Sequence, residues 1–135
     1  MVYQTSGNIA VTDDEALKFA EVCNDFIGNI DCNIDFPAVI HFINHKSQNQ
    51  IDSLEVRKLK GLIRRRESYA ATRYIGLKDT NTHFLDLPFY ETGQVKKNPL
   101  GAEDITIVRA IIPKITPHQV FAAGDLADPH GTHEV

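Results

Sequence analysis

The chain has 135 residues, and its 42% hydrophobic content is enough for a packed core, so one domain over 1–135 is expected. A formal charge of −4 and an isoelectric point near 5.8 argue against nucleic acid as the main partner. No apolar run reaches the length of a membrane span, no signal peptide is visible, and Cys23 and Cys32 form no CxxC pair, so a reduced, cytoplasmic protein with no membrane contact is expected.

In chain order, Val2–Thr5 reads as a strand punctuated by Ser6-Gly7-Asn8. Thr12-Asp13-Asp14-Glu15 has the form of a capping box and opens a helix to about Ile27. Ala16, Phe19, Ala20, Cys23 and Phe26 form its apolar face. Asp31–Asp35 is a polar loop, and Phe36–Lys46 is a short helix with Pro37 in its first turn. His41 and His45 on that helix have a known metal spacing. No glutamate follows His41, so the metalloprotease pattern fails, and the pair reads as ordinary helix residues.

Asp52-Ser53-Leu54-Glu55 is a second capping box ahead of a long helix from Leu54 to about Tyr74. Leu59, Leu62, Ile63, Tyr69, Ala70 and Ile75 are its expected buried positions, and Gly76 is the expected stop. Arg64-Arg65-Arg66 reads as a solvated face, with Arg64 a candidate for holding a phosphate or sugar hydroxyl. Thr82–Leu85 is the next strand, ended by Asp86-Leu87-Pro88; Asp86 is placed to cap the turn or to enter a cleft. Phe89–Gly101 is loop-like, Asp104–Ile115 is helical with Pro113 kinking or ending it, and Val120–Ala123 reads as a buried strand.

Strands alternating with helices imply a layered α/β fold with a mainly parallel sheet. Three strands are few for a sheet covered on both faces, and the fold looks incomplete at both ends. Just past the last strand come Asp125, Asp128, His130 and His133. Carboxylates and imidazoles at the carboxyl end of a strand are where open α/β sheets place their sites. Imidazoles at i and i+3 share a helix face, but a catalytic zinc takes about three protein ligands, so the pair alone is part of a site.

The run from Arg64-Arg65-Arg66-Glu67 through Ala70-Ala71, Gly76-Leu77 and Phe84-Leu85-Asp86-Leu87-Pro88 to His130-Gly-Thr-His133 resembles the PIG-L/LmbE family of zinc-dependent N-deacetylases. Thr82–Gly93 and Phe121–His133 look like the deacetylase-like region of bacterial proteins that begin with a glucosamine-6-phosphate deaminase. The resemblance implies a Rossmann-like three-layer fold and removal of an acetyl group from a small amino-sugar substrate. It makes His133 the third zinc ligand and His130 the assisting acid or electrostatic stabiliser. Arg64 and Asp125 are the expected substrate-binding residues, and a homo-oligomer is left open.

Thr132 stands where many members of that family carry Asp. The family's HPDDE-type motif, which supplies two zinc ligands and the general base, does not occur in this sequence. The expectation is a partial domain that holds no zinc tightly by itself, the metal belonging to the complete domain. Two other readings stand beside the N-deacetylase one: a domain appended to a protein whose main activity is glucosamine-6-phosphate deamination, and a non-catalytic interaction domain.

Overall fold

A computed structural model describes residues 1–27 and 35–122. The chain divides into two compact units, one formed by Gly7–Gly76 and the other by Met1–Ser6 with the chain from Leu77 onward.

The Gly7–Gly76 unit is helical. Its first helix, α1, spans Asp13–Ile27. The Thr12 hydroxyl accepts the Glu15 backbone N–H at 3.2 Å, which satisfies one of the unpaired amides of the first turn. Asp13, Asp14 and Glu15 also place negative charge at the positive end of the helix dipole. Helix α2, Phe36–His45, starts where the Asp35 carboxylate accepts the Ala38 N–H at 2.9 Å, with Pro37 in the turn where a missing N–H costs nothing.

Helix α3 spans Leu54–Tyr74. Its cap is Ser53, one residue later than the expected Asp52, with the Ser53 hydroxyl accepting the Val56 N–H at 3.3 Å. A backbone hydrogen bond and the Ser53 hydroxyl hold the Glu55 carboxyl below the usual carboxylate range. The helix ends at Gly76, whose φ of +81° is the left-handed turn that favours glycine, and the Gly76 N–H donates to the Arg73 carbonyl at 2.9 Å.

These helices and the turn before them enclose one apolar core of Val11, Ala16, Ala20, Phe36, Val39, Ile43, Val56 and Ile63. Burying a side chain the size of Ile63 contributes about 2 kcal/mol. The face expected for α1 holds at Ala16 and Ala20, both fully buried, but Phe19 is 47% exposed. On α3 the buried stripe runs through Val56, Lys60, Ile63 and Thr72. Leu62, Ala70 and Ile75, expected inside, are exposed. Apolar type alone did not mark the face of a helix whose stripe includes a lysine and a threonine.

In the other unit, β1 (Val2–Tyr3) pairs with β2 (His83–Phe84) in parallel, with Val2 opposite His83 and Tyr3 opposite Phe84. The ladder extends past the short strands. His83 N–H donates to the Met1 carbonyl, Leu85 N–H to Tyr3 and Leu87 N–H to Gln4, each at 2.9 Å. The rings of Tyr3 and Phe84 stack at 5.2 Å. The two strands expected at these places are therefore neighbours and parallel, as read.

The Phe89–Gly101 stretch is irregular but not loosely attached. Leu87, Phe89 and Tyr90 are buried. The Asp104 carboxylate, itself buried, accepts the Phe89 N–H at 3.0 Å and the Gly101 N–H at 2.8 Å. It thereby closes the first turn of α4, Ala102–Ile115, and fixes the loop in one arrangement. Pro113 lies in the last turn, and the helix continues two residues past it to Ile115, so it neither ends nor breaks α4 early.

The strand expected at Val120–Ala123 is a correction. Val120–Ala122 are irregular, and Val120 and Phe121 are 71% and 84% exposed. A strand is defined by a pairing partner, and among the described residues β1 pairs only with β2. No helix among the described residues is long and apolar enough to cross a membrane.

Candidate functional site

Asp125, Asp128, His130 and His133 lie outside the described residues. Of the expected site residues, Arg64 and Asp86 have described positions, and they belong to different units. Asp86 sits at the carboxyl end of β2 with φ of +46°, a backbone conformation that Asp tolerates better than most residues. Its half-buried position there suits a turn residue.

Arg64 projects from the middle of α3. Its aliphatic stem lies over Gly7, where a Cβ would come within 3.3 Å of Arg64 Cγ. Its guanidinium holds the Glu67 carboxylate one turn on, and both side chains are near half exposed. An arginine so placed can exchange an exposed carboxylate for a phosphate, because both offer oxygens that match the guanidinium fork.

The best-connected polar group was not among the expected sites. Lys46 Nζ lies 2.7 Å from Asp13 and 2.6 Å from Asp52. Lys60 Nζ lies 2.6 Å from Asp13 and 2.7 Å from Asp52. Each ammonium thus bridges the same two carboxylates, and the Lys60 side chain is only 6% exposed. Burial opposes charge on Asp13, but hydrogen bonds from Lys46 and Lys60, reinforced by their charges, hold its carboxyl below the usual carboxylate range. Burial likewise opposes charge on Lys46, but the hydrogen bonds and charges of Asp13 and Asp52 raise it above the usual lysine range.

The four groups come from the start of α1, the residue after α2, the residue before the Ser53 cap, and the second turn of α3. Two positive and two negative charges cancel, and each carboxylate is engaged by both ammoniums. That arrangement fixes three helix ends and leaves no strong base exposed, so its role is structural. One sequence signal could have found it. Lys60 lies at i+4 from Val56 and three residues before Ile63, on the buried stripe, and a lysine buried there needs carboxylate partners.

Elsewhere, burial lowers the Lys97 ammonium below its usual range against the opposing pull of Glu91. That amine sits 4.2 Å over the Tyr90 ring and donates to the Val95 carbonyl at 3.0 Å. An apolar groove of about 740 Å³ lies in the helical unit, with Phe36, Phe42, Leu54 and Leu62 on its walls and Asp35 and Lys58 among its polar groups. No group of three or more His, Cys, Asp or Glu among the described residues could hold a metal ion. The described residues therefore do not fit a catalytic zinc.

No protein-family model matches the chain, and no solved structure matches it. The N-deacetylase resemblance thus rests on the sequence motifs alone. Across its whole length, in an alignment of 141 positions, the chain is 44% identical to a glucosamine-6-phosphate deaminase-like protein of Bacteroides thetaiotaomicron, and it spans 21% of that protein's length.

Proposed function

We propose that this chain is a domain appended to a larger amino-sugar enzyme whose main activity is glucosamine-6-phosphate deamination. The observation that carries the reading is the 44% identity over the whole chain to a protein of that name, of which the chain spans only 21%. At this identity two sequences share their local architecture, while a fifth of a protein is a fraction from which the whole activity does not follow. In this reading the small-molecule partner is an amino-sugar phosphate, and Arg64 is the described residue best suited to a phosphate, exchanging it for Glu67.

A second reading is favoured by a specific observation, the Asp125 and His130-Gly-Thr-His133 motif. It makes the domain an N-deacetylase of Rossmann-like, three-layer form. His133 then serves as a zinc ligand, His130 steadies the charge that develops on the substrate, and Asp125 orients a hydroxyl. The parallel β1–β2 pair, joined by a long helical crossover, supports that fold. The remaining ligands and the base would come from elsewhere in the polypeptide.

The test is ammonia release from glucosamine 6-phosphate and acetate release from its N-acetylated form. Both are measured for the longer polypeptide, for that polypeptide without this segment, and for this chain alone. The appended-domain reading expects ammonia release that survives removal of the segment and is absent from the chain alone. Deamination by the isolated chain, or none by the longer polypeptide, would overturn it. Acetate release abolished by His133→Ala would establish the second reading.

A further inference from the structure

We propose that the apolar groove of the helical unit, continued along α3 by Arg66, Tyr69 and Arg73, docks an amphipathic helix of a partner protein with an acidic flank. Lys58, Leu62, Arg66, Tyr69 and Arg73 follow one another along α3 at spacings of four, four, three and four residues, so they share one helix face. The core takes the other side of the helix, through Val56, Lys60 and Ile63. Lys58, Leu62, Arg66 and Arg73 are all exposed. Leu59 and Leu62 form the α3 wall of the groove, and Phe36 and Phe42 form its α2 wall. Leu62 thus joins an apolar seat to a basic stripe.

The two arginines are held ready for an anion. Arg66 Cζ and Arg73 Cζ each lie 5.8 Å from the centroid of the Tyr69 ring. The negative face of a ring draws guanidiniums to it and restricts their motion, so less side-chain entropy is lost when they meet carboxylates. Glu67, next to Arg66 in sequence, is held by Arg64. The acidic groups of the groove lie at helix starts, where Asp35 caps α2 and Glu55 hydrogen bonds at the Ser53 cap. Charge along this face therefore runs from acidic at the start of α3 to basic toward its end. A complementary helix is apolar against Leu59 and Leu62 and acidic where it passes Arg66 and Arg73. From Lys58 to Arg73 the axis rises about 22 Å, the length of a helix of about 15 residues. Arginine and tyrosine are also the residue types that most often anchor protein interfaces. A phosphate backbone would answer the arginines but leave the apolar groove unfilled.

The probe is a fluorescein-labelled synthetic peptide of about 15 residues, with leucine at helical three- and four-residue spacing. Glutamate occupies the polar positions of its first half, where it suits the helix dipole, and glutamine those of its second half. Fluorescence anisotropy reads its binding to the 135-residue chain. Saturable one-to-one binding that weakens with salt is expected. Arg66→Glu and Arg73→Glu together should weaken it on the order of tenfold, and Leu62→Asp by about as much. All three residues are exposed, and circular dichroism should show the helices unchanged. Peptides with lysine in place of glutamate, or with the leucine spacing scrambled, should bind at least tenfold more weakly. Equal binding of either control, no binding of the acidic peptide, or binding indifferent to the Arg66 and Arg73 substitutions would overturn the proposal. So would tighter binding of an RNA oligonucleotide, or self-association of the chain that Leu62→Asp abolishes, which would give the face to nucleic acid or to a second copy.

Discussion

Replacing Lys60 by Met tests the charge cluster most directly. Methionine keeps most of the apolar stem and removes the ammonium, so the change isolates the charge from the packing. Breaking a buried ion pair by removing one partner costs about 3–5 kcal/mol, because the surviving charge is left uncompensated. Here the loss is smaller. Asp13 and Asp52 each retain Lys46 at 2.7 and 2.6 Å, and the Asp13 side chain is 40% exposed and partly served by water. A destabilisation of about 2 kcal/mol is expected for the Gly7–Gly76 unit. Urea unfolding followed by helical circular dichroism reads it. The cluster also sets a pH window. The Asp13 carboxyl is lowered in the fold, so its contribution is present above the unfolded value of 3.8 and is lost as pH falls through the folded value. Lys46 is raised, so its contribution is present below 10.5 and is lost as pH rises through its folded value. In Lys60→Met one of the two ammoniums that lower Asp13 is gone, and the acid limb of the stability profile moves to higher pH. A variant as stable as the parent, with an unchanged acid limb, would refute the view that this ammonium holds the helix ends together.

Three further substitutions probe the elements that position the rest. Asp104→Ala strands the Phe89 and Gly101 N–H groups, one of them against buried side chains, and should cost about 2–3 kcal/mol by urea unfolding. Gly76→Ala meets no neighbour within 4 Å, so its expected loss of about 1 kcal/mol is purely the left-handed backbone, and thermal unfolding should show it without any change in helix content. Gly7→Ala combines a φ of +67° with a Cβ 3.3 Å from Arg64 Cγ; it should destabilise by more than Gly76→Ala and shift the Arg64 side-chain resonances.

Local chemistry made much of the helical unit readable. Thr12 and Gly76 mark helix ends through bonds made within a few residues, and the expected bounds of α1 and α3 match. The same local logic hid the charge cluster. Asp13 and Asp52 both lie in segments that read as caps, so their longer-range partners 33–47 residues and 6–8 residues away went unseen. Glycine and proline around Phe89 and Tyr90 give that stretch the composition of a loop, yet Asp104, fifteen residues on, holds Phe89 inside. Val120–Phe121 illustrates the opposite error. An apolar run has the composition of a buried strand, but only a partner makes it one. Of the candidate site, Arg64 could be recognised as a phosphate-binding type but not as a residue already engaged by Glu67.

The two units carry their stability in different ways, and this bears on how the chain should behave in pieces. Every buried member of the apolar cluster, from Val11 to Ile63, falls within Gly7–Gly76, as do all four members of the charge cluster. That unit has its own core and caps at both ends of α3. The described residues of the other unit hold a two-stranded parallel ladder, a pairing that is rarely stable without further strands or covering layers. Its helix α4 leaves Ile105, Ile112 and Ile115 exposed. The excised segment 7–76 should therefore keep a cooperative unfolding transition and dispersed methyl resonances near those of Ile43 and Ile63 in the whole chain. The segment 77–122, which lacks β1, should show no cooperative unfolding transition. A small domain of this kind is only marginally stable, so the comparison belongs at low temperature. A 7–76 segment that is unfolded there would show that its apolar cluster depends on the remainder of the chain, and the division of stability argued from the buried residues would be wrong.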